Sequence, residues 1–277
     1  MANDTEKRML RVLDYIHDNP AGDLSLDALA DVAAMSRFHW HRVFRGITGE
    51  TAAQAVRRMR MHRASVALVH TDTPLAQIAR NVGYPNLASF TRAFTESYAM
   101  SPSAFRNRGE LRPFLVPKPE VPLMYPVEIR NEPARRLAAM PHIGPYHEIG
   151  RAFEKLGATI GARGLFSQAG QMVGVFYDDP SATPAAELRS HAGMVFAEGV
   201  PLNPPVEVVI LPPGRHAVLT YKGPYAGLPA AYDHLYCNWL PTSGAEPANS
   251  PVFEVYLNSP MDTAPEDLIT ELCLTLA

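Results

Sequence analysis

Residues 73–98, TPLAQIARNVGYPNLASFTRAFTESY, decide how the first third of this 277-residue chain folds. Thr73 stands where a helix cap belongs, and Pro74 at the first helical position has no amide hydrogen to lose. Leu75, Ile78 and Ala79 then recur at helical spacing up to Val82. Gly83-Tyr84-Pro85 breaks the pattern as a tight turn. Asn86 caps a second helix over Leu87–Tyr98, whose Phe90, Phe94 and Tyr98 fall on one face. Two short helices joined by a tight turn, the second amphipathic with polar side chains outward, make a helix-turn-helix.

The same arrangement occurs about 50 residues earlier. Ser25 caps a short helix carrying Leu26, Leu29, Ala30 and Ala33. Ala34-Met35 ends it, and Ser36 is expected to cap a helix over Arg37–Arg45 with Trp40, Val43 and Phe44 inward. Arg42-Val43-Phe44 corresponds to Arg92-Ala93-Phe94, one arginine before a buried phenylalanine in each unit. Upstream, Met9, Val12, Leu13 and Ile16 form a further helix ended by Asn19-Pro20-Ala21-Gly22. Between the two units, Thr51 to His70 predicts one uninterrupted helix of roughly 30 Å. Successive major-groove faces of B-DNA lie ~34 Å apart, so one chain has the reach to place both recognition helices in adjacent grooves.

Charge is divided in the same way. The whole chain carries −3, a total that on its own disfavours nucleic acid, but residues 1–112 hold +4 and residues 113–277 hold −7. Between Arg37 and Arg108 there are 11 arginines, no lysine and three acids. Planar guanidinium groups suit phosphates and guanine edges. A solvated helix face is the alternative for such a charge run.

Residues Glu6 to Arg108 resemble the AraC/XylS family of bacterial transcription regulators. The resemblance is carried by Ile78-Ala79, Val82-Gly83-Tyr84, Phe90-Thr91-Arg92-Ala93-Phe94, Ser101-Pro102 and Phe105-Arg106. It implies that Phe38, His41 and Arg42 in the first recognition helix, and Ser89, Thr91 and Arg92 in the second, touch bases or phosphates. Arg37, Arg45 and Asn86 complete the candidate DNA-contacting set. Leu87 and Ala88 stand where relatives carry amides, which implies fewer base contacts for the second helix. The chain also departs from the family pattern at Thr95-Glu96 and at Ala99.

Proline rises from four in residues 1–112 to 22 beyond them. Pro113 to Pro122 alternates proline with apolar residues and is expected to be an extended linker. Residues 123–277 are self-similar at an offset of 79, as repeats at about 126–204 and 205–277. Pro126-Val127-Glu128-Ile129 matches Pro205-Val206-Glu207-Val208, and Gly144-Pro145-Tyr146 matches Gly223-Pro224-Tyr225. With no gap, Tyr177 falls on Tyr256 and Glu187 on Glu266. Each copy reads strand, helix, strand, strand. The fold class expected is therefore two domains: an all-α N-terminal domain with two helix-turn-helix units, and an α+β C-terminal domain built from a duplicated strand-helix-strand unit. The second domain is expected to have a mostly antiparallel sheet with two helices on one face and a cleft at the pseudo-two-fold seam.

Where the copies differ, function is expected. At this offset Glu254 replaces Val175, and Trp239 replaces Ile160. Strand alternation puts Glu254 and Tyr256 on one face. A carboxylate ringed by Tyr146, Tyr177, Tyr225, Tyr256 and Trp239 would attract a lipophilic cation, each ring contributing ~0.5–2 kcal/mol. The other reading is a Glu254 at an exposed strand edge bonded to Tyr256. The paired Gly-Pro-Tyr motifs, Val175-Phe176-Tyr177-Asp178-Asp179-Pro180, Trp239-Leu240-Pro241 and Phe253-Glu254-Val255-Tyr256 resemble the GyrI-like effector-binding domain of multidrug-responsive regulators of the Rob and BmrR types. That resemblance implies an amphipathic, often cationic ligand at an acid matching Glu254.

The expected partners are double-stranded promoter DNA, a small-molecule effector and RNA polymerase, without a membrane. A hydrolase of cyclopropanoid toxins with Glu254 as general acid or base, and a protein-interaction module, are the competing readings. No catalytic nucleophile with a His base, no cofactor motif and no metal spacing is visible. Cys237 and Cys273 align with apolar residues and are expected to be buried fillers. The start of the chain has no apolar signal core, and a cytoplasmic setting is expected.

Overall fold

A computed structural model describes residues 4–110 and 125–277, so the proline-rich segment 113–122 lies outside the described residues. The helices run α1 (Asp4–Asp18), α2 (Leu26–Ala33), α3 (Trp40–Thr48), α4 (Ala52–His70), α5 (Leu75–Asn81), α6 (Leu87–Tyr98) and α7 (Pro102–Arg108). The chain divides into two compact units. One comprises residues 1–35 and 47–121; the other comprises residues 36–46, which hold most of α3, and 122–277.

In the first unit, local chemistry sets the helix ends. The Ser25, Asn86 and Ser101 side chains each accept an amide hydrogen from the first turn, and Thr51 with Gln54 forms a reciprocal capping box. Helix α5 begins at Leu75 with Pro74 at its cap and no side-chain bond, so Thr73 is not the cap. Phe90 and Phe94 of α6 and Phe105 of α7 are fully buried with Met61, Ala64 and Leu68 of α4. Phe94 is the centre of that core, 4.7 Å from the Tyr98 ring and 5.2 Å from the Phe105 ring. Gly83 holds the α5–α6 turn at φ +80°, and a Cβ there would lie 2.6 Å from the Pro20 carbonyl oxygen.

The second unit is built on β1 (Val127–Glu132), β2 (Arg135–Ile143), α8 (Gly150–Ala162), β3 (Ala169–Phe176), β4 (Arg189–Phe196), β5 (Glu207–Leu211), β6 (Gly214–Lys222), α9 (Leu228–Asp233), α10 (Leu240–Ser243), β7 (Val252–Tyr256) and β8 (Ile269–Thr275). The strands form one antiparallel sheet in the order β1-β6-β8-β7-β3-β4-β2-β5. Only Pro133 and Ala134 join β1 to β2, and only Pro212 and Pro213 join β5 to β6. Each pair stands six strands apart, which is ~29 Å in a flat sheet. A two-residue connection reaches about 11 Å. The sheet must therefore curl until its ends approach. Arg135 of β2 accordingly lies 5.6 Å over the Phe253 ring of β7. One face is filled by Leu137, Val173, Val175, Val218, Val255 and Cys273. The other packs against α8 through Ala138, Met140, Ala192 and Met194.

The duplication is present, but its offset changes. Leu137 pairs with Val195 in one copy and His216 with Thr275 in the other, so β2 maps onto β6 with an offset of 79 but β4 onto β8 with 80. Strands β3 and β7 meet at the seam with Gly174 opposite Glu254, which also requires 80. The extra residue is absorbed between α9 and α10, where His234–Trp239 form a π-helical turn. The gapless alignment is thus corrected in its second half. Gly174, not Val175, is the counterpart of Glu254, and Phe176, not Tyr177, is that of Tyr256. Buried Leu240, not Trp239, takes the place of Ile160, and Gly193, not Met194, that of Cys273. Glu187, at the end of the short turn Ala185–Glu187, maps onto Asp267 rather than Glu266. Cys273 is buried and Cys237 half-buried. Among the described residues, no helix is long and apolar enough to cross a membrane.

Candidate functional site

Strand β7 alternates, so Phe253 and Val255 enter the filled inner face while Glu254 points to the helical face. Glu254 is only 4% exposed, which excludes the reading as an open strand edge. Both its oxygens are engaged: Tyr232 of α9 donates to Oε1 at 2.9 Å and Tyr256 donates to Oε2 at 2.8 Å. Burial pushes the carboxyl up to about 7, against the two tyrosine hydrogen bonds and the charge of Arg42, which pull it down. Gly174 makes room for this arrangement, because a Cβ there would fall 2.7 Å from the Tyr256 hydroxyl. The Tyr256 ring is flanked edge-on by Phe153 of α8 at 5.6 Å and by Tyr225 at 5.5 Å.

Of the residues expected around the acid, Tyr256 and Tyr225 are in this cluster. Tyr146 stands in the position equivalent to Tyr225 and packs on Phe176 at 4.8 Å, with its hydroxyl donated to the Asp178 and Arg189 carbonyls. Tyr177 packs with the inner face and against His191, so it lies on the wrong side of the sheet for Glu254. Trp239 is half-buried in the π turn and makes no described ring contact or hydrogen bond with the cluster. Sequence reasoning missed Tyr232. The signal was present, since Tyr232 replaces Phe153 at the offset of 79 and so adds a hydroxyl to the helix facing the acid.

The first recognition segment begins later than its caps suggest. The Ser36 carbonyl accepts from the His39 and Trp40 amides and its hydroxyl from Phe38, so a turn precedes α3 and the helix starts at Trp40, not Arg37. Within the second unit this segment is held by residues on both sides of the cluster. The His41 Nε2 lies 2.8 Å from Asp179 Oδ2. Arg42 sits 5.0 Å over both the Tyr232 and Tyr236 rings, with Nε 3.5 Å from Asp179 and Nη2 donating to the Asp178 carbonyl at 3.3 Å. Arg45 pairs with Asp233. Burial alone would raise Asp179, but the His41 hydrogen bond and the Arg42 charge outweigh it and hold it well below the usual carboxylate range. His39 is fully buried and pushed down to about 3 by that burial, with Arg42 adding to the effect. Its ring is therefore neutral: Nε2 donates to the Ser250 carbonyl at 2.8 Å, and Nδ1 accepts from the Tyr236 hydroxyl at 2.8 Å. Of the other candidates here, Arg37 is exposed over the half-buried Phe38 ring at 5.1 Å.

On α6 the picture differs. Arg92 is exposed, Thr91 and Ser89 are half-buried, and the Asn86 carboxamide is committed to the Ser89 amide at 2.8 Å. Ser89 in turn donates to the Asn86 carbonyl at 3.0 Å. Arg57, Arg60, Tyr84, Ser89 and Arg92 line part of a cavity of about 550 Å³. Within it Arg57 pairs with Glu96, and Arg60 donates to the Pro20 carbonyl. Arg92 is thus the basic group of α6 presented to solvent.

Residues 29–108 match the helix-turn-helix domain family, and residues 125–277 match the GyrI-like small molecule binding domain family. The uncharacterized HTH-type transcriptional regulator YbfP of Bacillus subtilis (strain 168) is 31% identical over 102 residues, 37% of this chain and 35% of that protein. The right origin-binding protein of Escherichia coli (strain K12) is 33% identical over 96 residues, 35% of this chain and 33% of that protein. The chain thus spans about a third of the length of these curated relatives. Among solved structures, the EcmrR C-terminal domain superposes with a TM-score of 0.46 at 15% identity, covering 56% of this chain and 99% of that domain.

Proposed function

The chain belongs to the family of GyrI-like small molecule binding domains, and from that premise we propose that it is a transcription regulator whose sheet domain binds a lipophilic cation at Glu254 and whose helix-turn-helix region binds promoter DNA. The observation that carries the ligand reading is the buried Glu254, with both oxygens held by tyrosine hydroxyls and aromatic edges around them. A carboxylate so placed is costly to ionise alone, and an organic cation would supply the missing charge while its apolar body covers the rings. The exposed Arg92 on α6 and the arginine-rich, lysine-free composition of residues 37–108 support the DNA reading. RNA polymerase is then the partner on which the DNA-bound protein acts. The test is binding of rhodamine 6G, a lipophilic monocation, by fluorescence anisotropy: Glu254→Gln should weaken it at least tenfold, and equal affinity would remove Glu254 from the site.

A further inference from the structure

Arg42 already occupies the place that a cationic ligand needs. Its guanidinium lies over Tyr232, the same ring whose hydroxyl holds Glu254, and over Tyr236. Beside a side-chain bond with Tyr236, its contacts to Asp178 and Asp179 are long, at 3.3 and 3.5 Å, and its Nη1 is buried with no hydrogen-bond partner. A buried cation held mainly by ring faces and long contacts is one that a better-fitting cation can replace. Arg42 is also one of the two arginines of the first recognition helix. Its neighbours on the same segment are engaged in the same unit, His41 with Asp179, Arg45 with Asp233 and His39 with Tyr236.

We propose that Arg42 is a resident surrogate for the effector, so that a lipophilic cation reaches the Glu254 tyrosines by displacing it and thereby frees α3 for DNA. Ligand and DNA then favour the same state, and each strengthens binding of the other by the same factor. This rests on the reading of Glu254 as the cation's partner, and it adds the sign: the effector promotes DNA binding rather than opposing it. It also predicts that weakening the acids that hold the segment does the effector's work without any ligand.

The experiment uses the full chain, a mixed-sequence 40-bp duplex and rhodamine 6G. Asp233→Asn, at a half-exposed position, and Asp179→Asn should each raise affinity for the duplex at least fivefold, and saturating dye should raise the wild type comparably. Arg42→Gln should raise dye affinity at least fivefold, because the competitor is gone. If both acid variants bind the duplex as the wild type does and Arg42→Gln leaves dye affinity unchanged, the surrogate role is overturned, while loss of dye binding in Glu254→Gln would still uphold the cation site. If the acid variants gain DNA affinity but dye binding is indifferent to Glu254→Gln, the restraint on α3 stands and the cation reading falls.

Discussion

Gly174 stands directly opposite Glu254 across the seam between β3 and β7, and its missing side chain is what lets the Tyr256 hydroxyl reach the carboxylate. Gly174→Ala would put a methyl group 2.7 Å from that hydroxyl, below any normal contact. The tyrosine must swing away, and Glu254 loses one of its two donors. The expected result is a cation affinity reduced about tenfold or more, matching the low end of the ~1.5–3 kcal/mol of one hydrogen bond to a charged group, with the sheet still folded by circular dichroism. Dye titration of the variant against the wild type reads this directly.

The raised value of Glu254, about 7 against an ordinary 4.5, gives a pH dependence with a definite sign. Below pH ~6 the carboxyl is largely neutral, so affinity for a permanent monocation should climb between pH 6 and 8 and then level off. Stability moves the other way. The native state keeps its proton where the unfolded chain has released it, so this contribution is full below about pH 4 and is lost as pH rises from ~4.5 to ~7. Urea unfolding of the ligand-free protein at pH 5 and pH 8 should show a decline of about 2.5 kcal/mol that Glu254→Gln lacks. His39 titrates in both proteins and cancels in the difference. An identical decline in the variant would place the titrating group elsewhere.

What the sequence displays is what local chemistry determines. Asn86 as a cap, Gly83 as a turn and Phe90 and Phe94 on one face are read within a few residues, and they stand where they are read. Glu254 and Tyr256 are legible because strand alternation is equally local. The one-residue shift is not, because the six residues of the π turn, His234–Trp239, absorb an extra residue with no proline, glycine or formal charge among them to mark it. That hidden residue is why Tyr177 and Trp239 are drawn toward Glu254 by a gapless alignment. The bond between His41 and Asp179 joins residues far apart in the chain, and nothing in either neighbourhood announces it. The DNA-facing character expected of His41, Arg42 and Arg45 is read from the helix alone, whereas their engagement by Asp178, Asp179 and Asp233 depends on residues more than a hundred positions along the chain.

Gly83 is a stability test for the first unit. Its φ of +80° and the Pro20 carbonyl 2.6 Å from a hypothetical Cβ make both the conformation and the space unavailable to alanine. Left-handed backbone alone costs a side chain about 1–2 kcal/mol. Gly83→Ala should therefore lower unfolding stability by about 2 kcal/mol or more, read as a lower urea midpoint for the helical unit. A change below 0.5 kcal/mol would mean that the α5–α6 turn relaxes freely.

Arg92 tests how α6 meets DNA. The Asn86 carboxamide is spent on the helix cap, Ser89 bonds back to the Asn86 carbonyl, and the neighbouring exposed residues Leu87 and Ala88 offer only methyl contacts. That leaves the guanidinium of Arg92 as the strongest group on the exposed face, with few base-reading side chains beside it. A helix so equipped contributes mainly through phosphate. Arg92→Ala should then weaken binding nearly uniformly across duplexes recovered from a random pool, and reduce the slope of log affinity against log salt by about one. If instead affinity falls for one base at one position while the salt slope stays the same, Arg92 reads a base edge and α6 carries more of the specificity than its composition suggests.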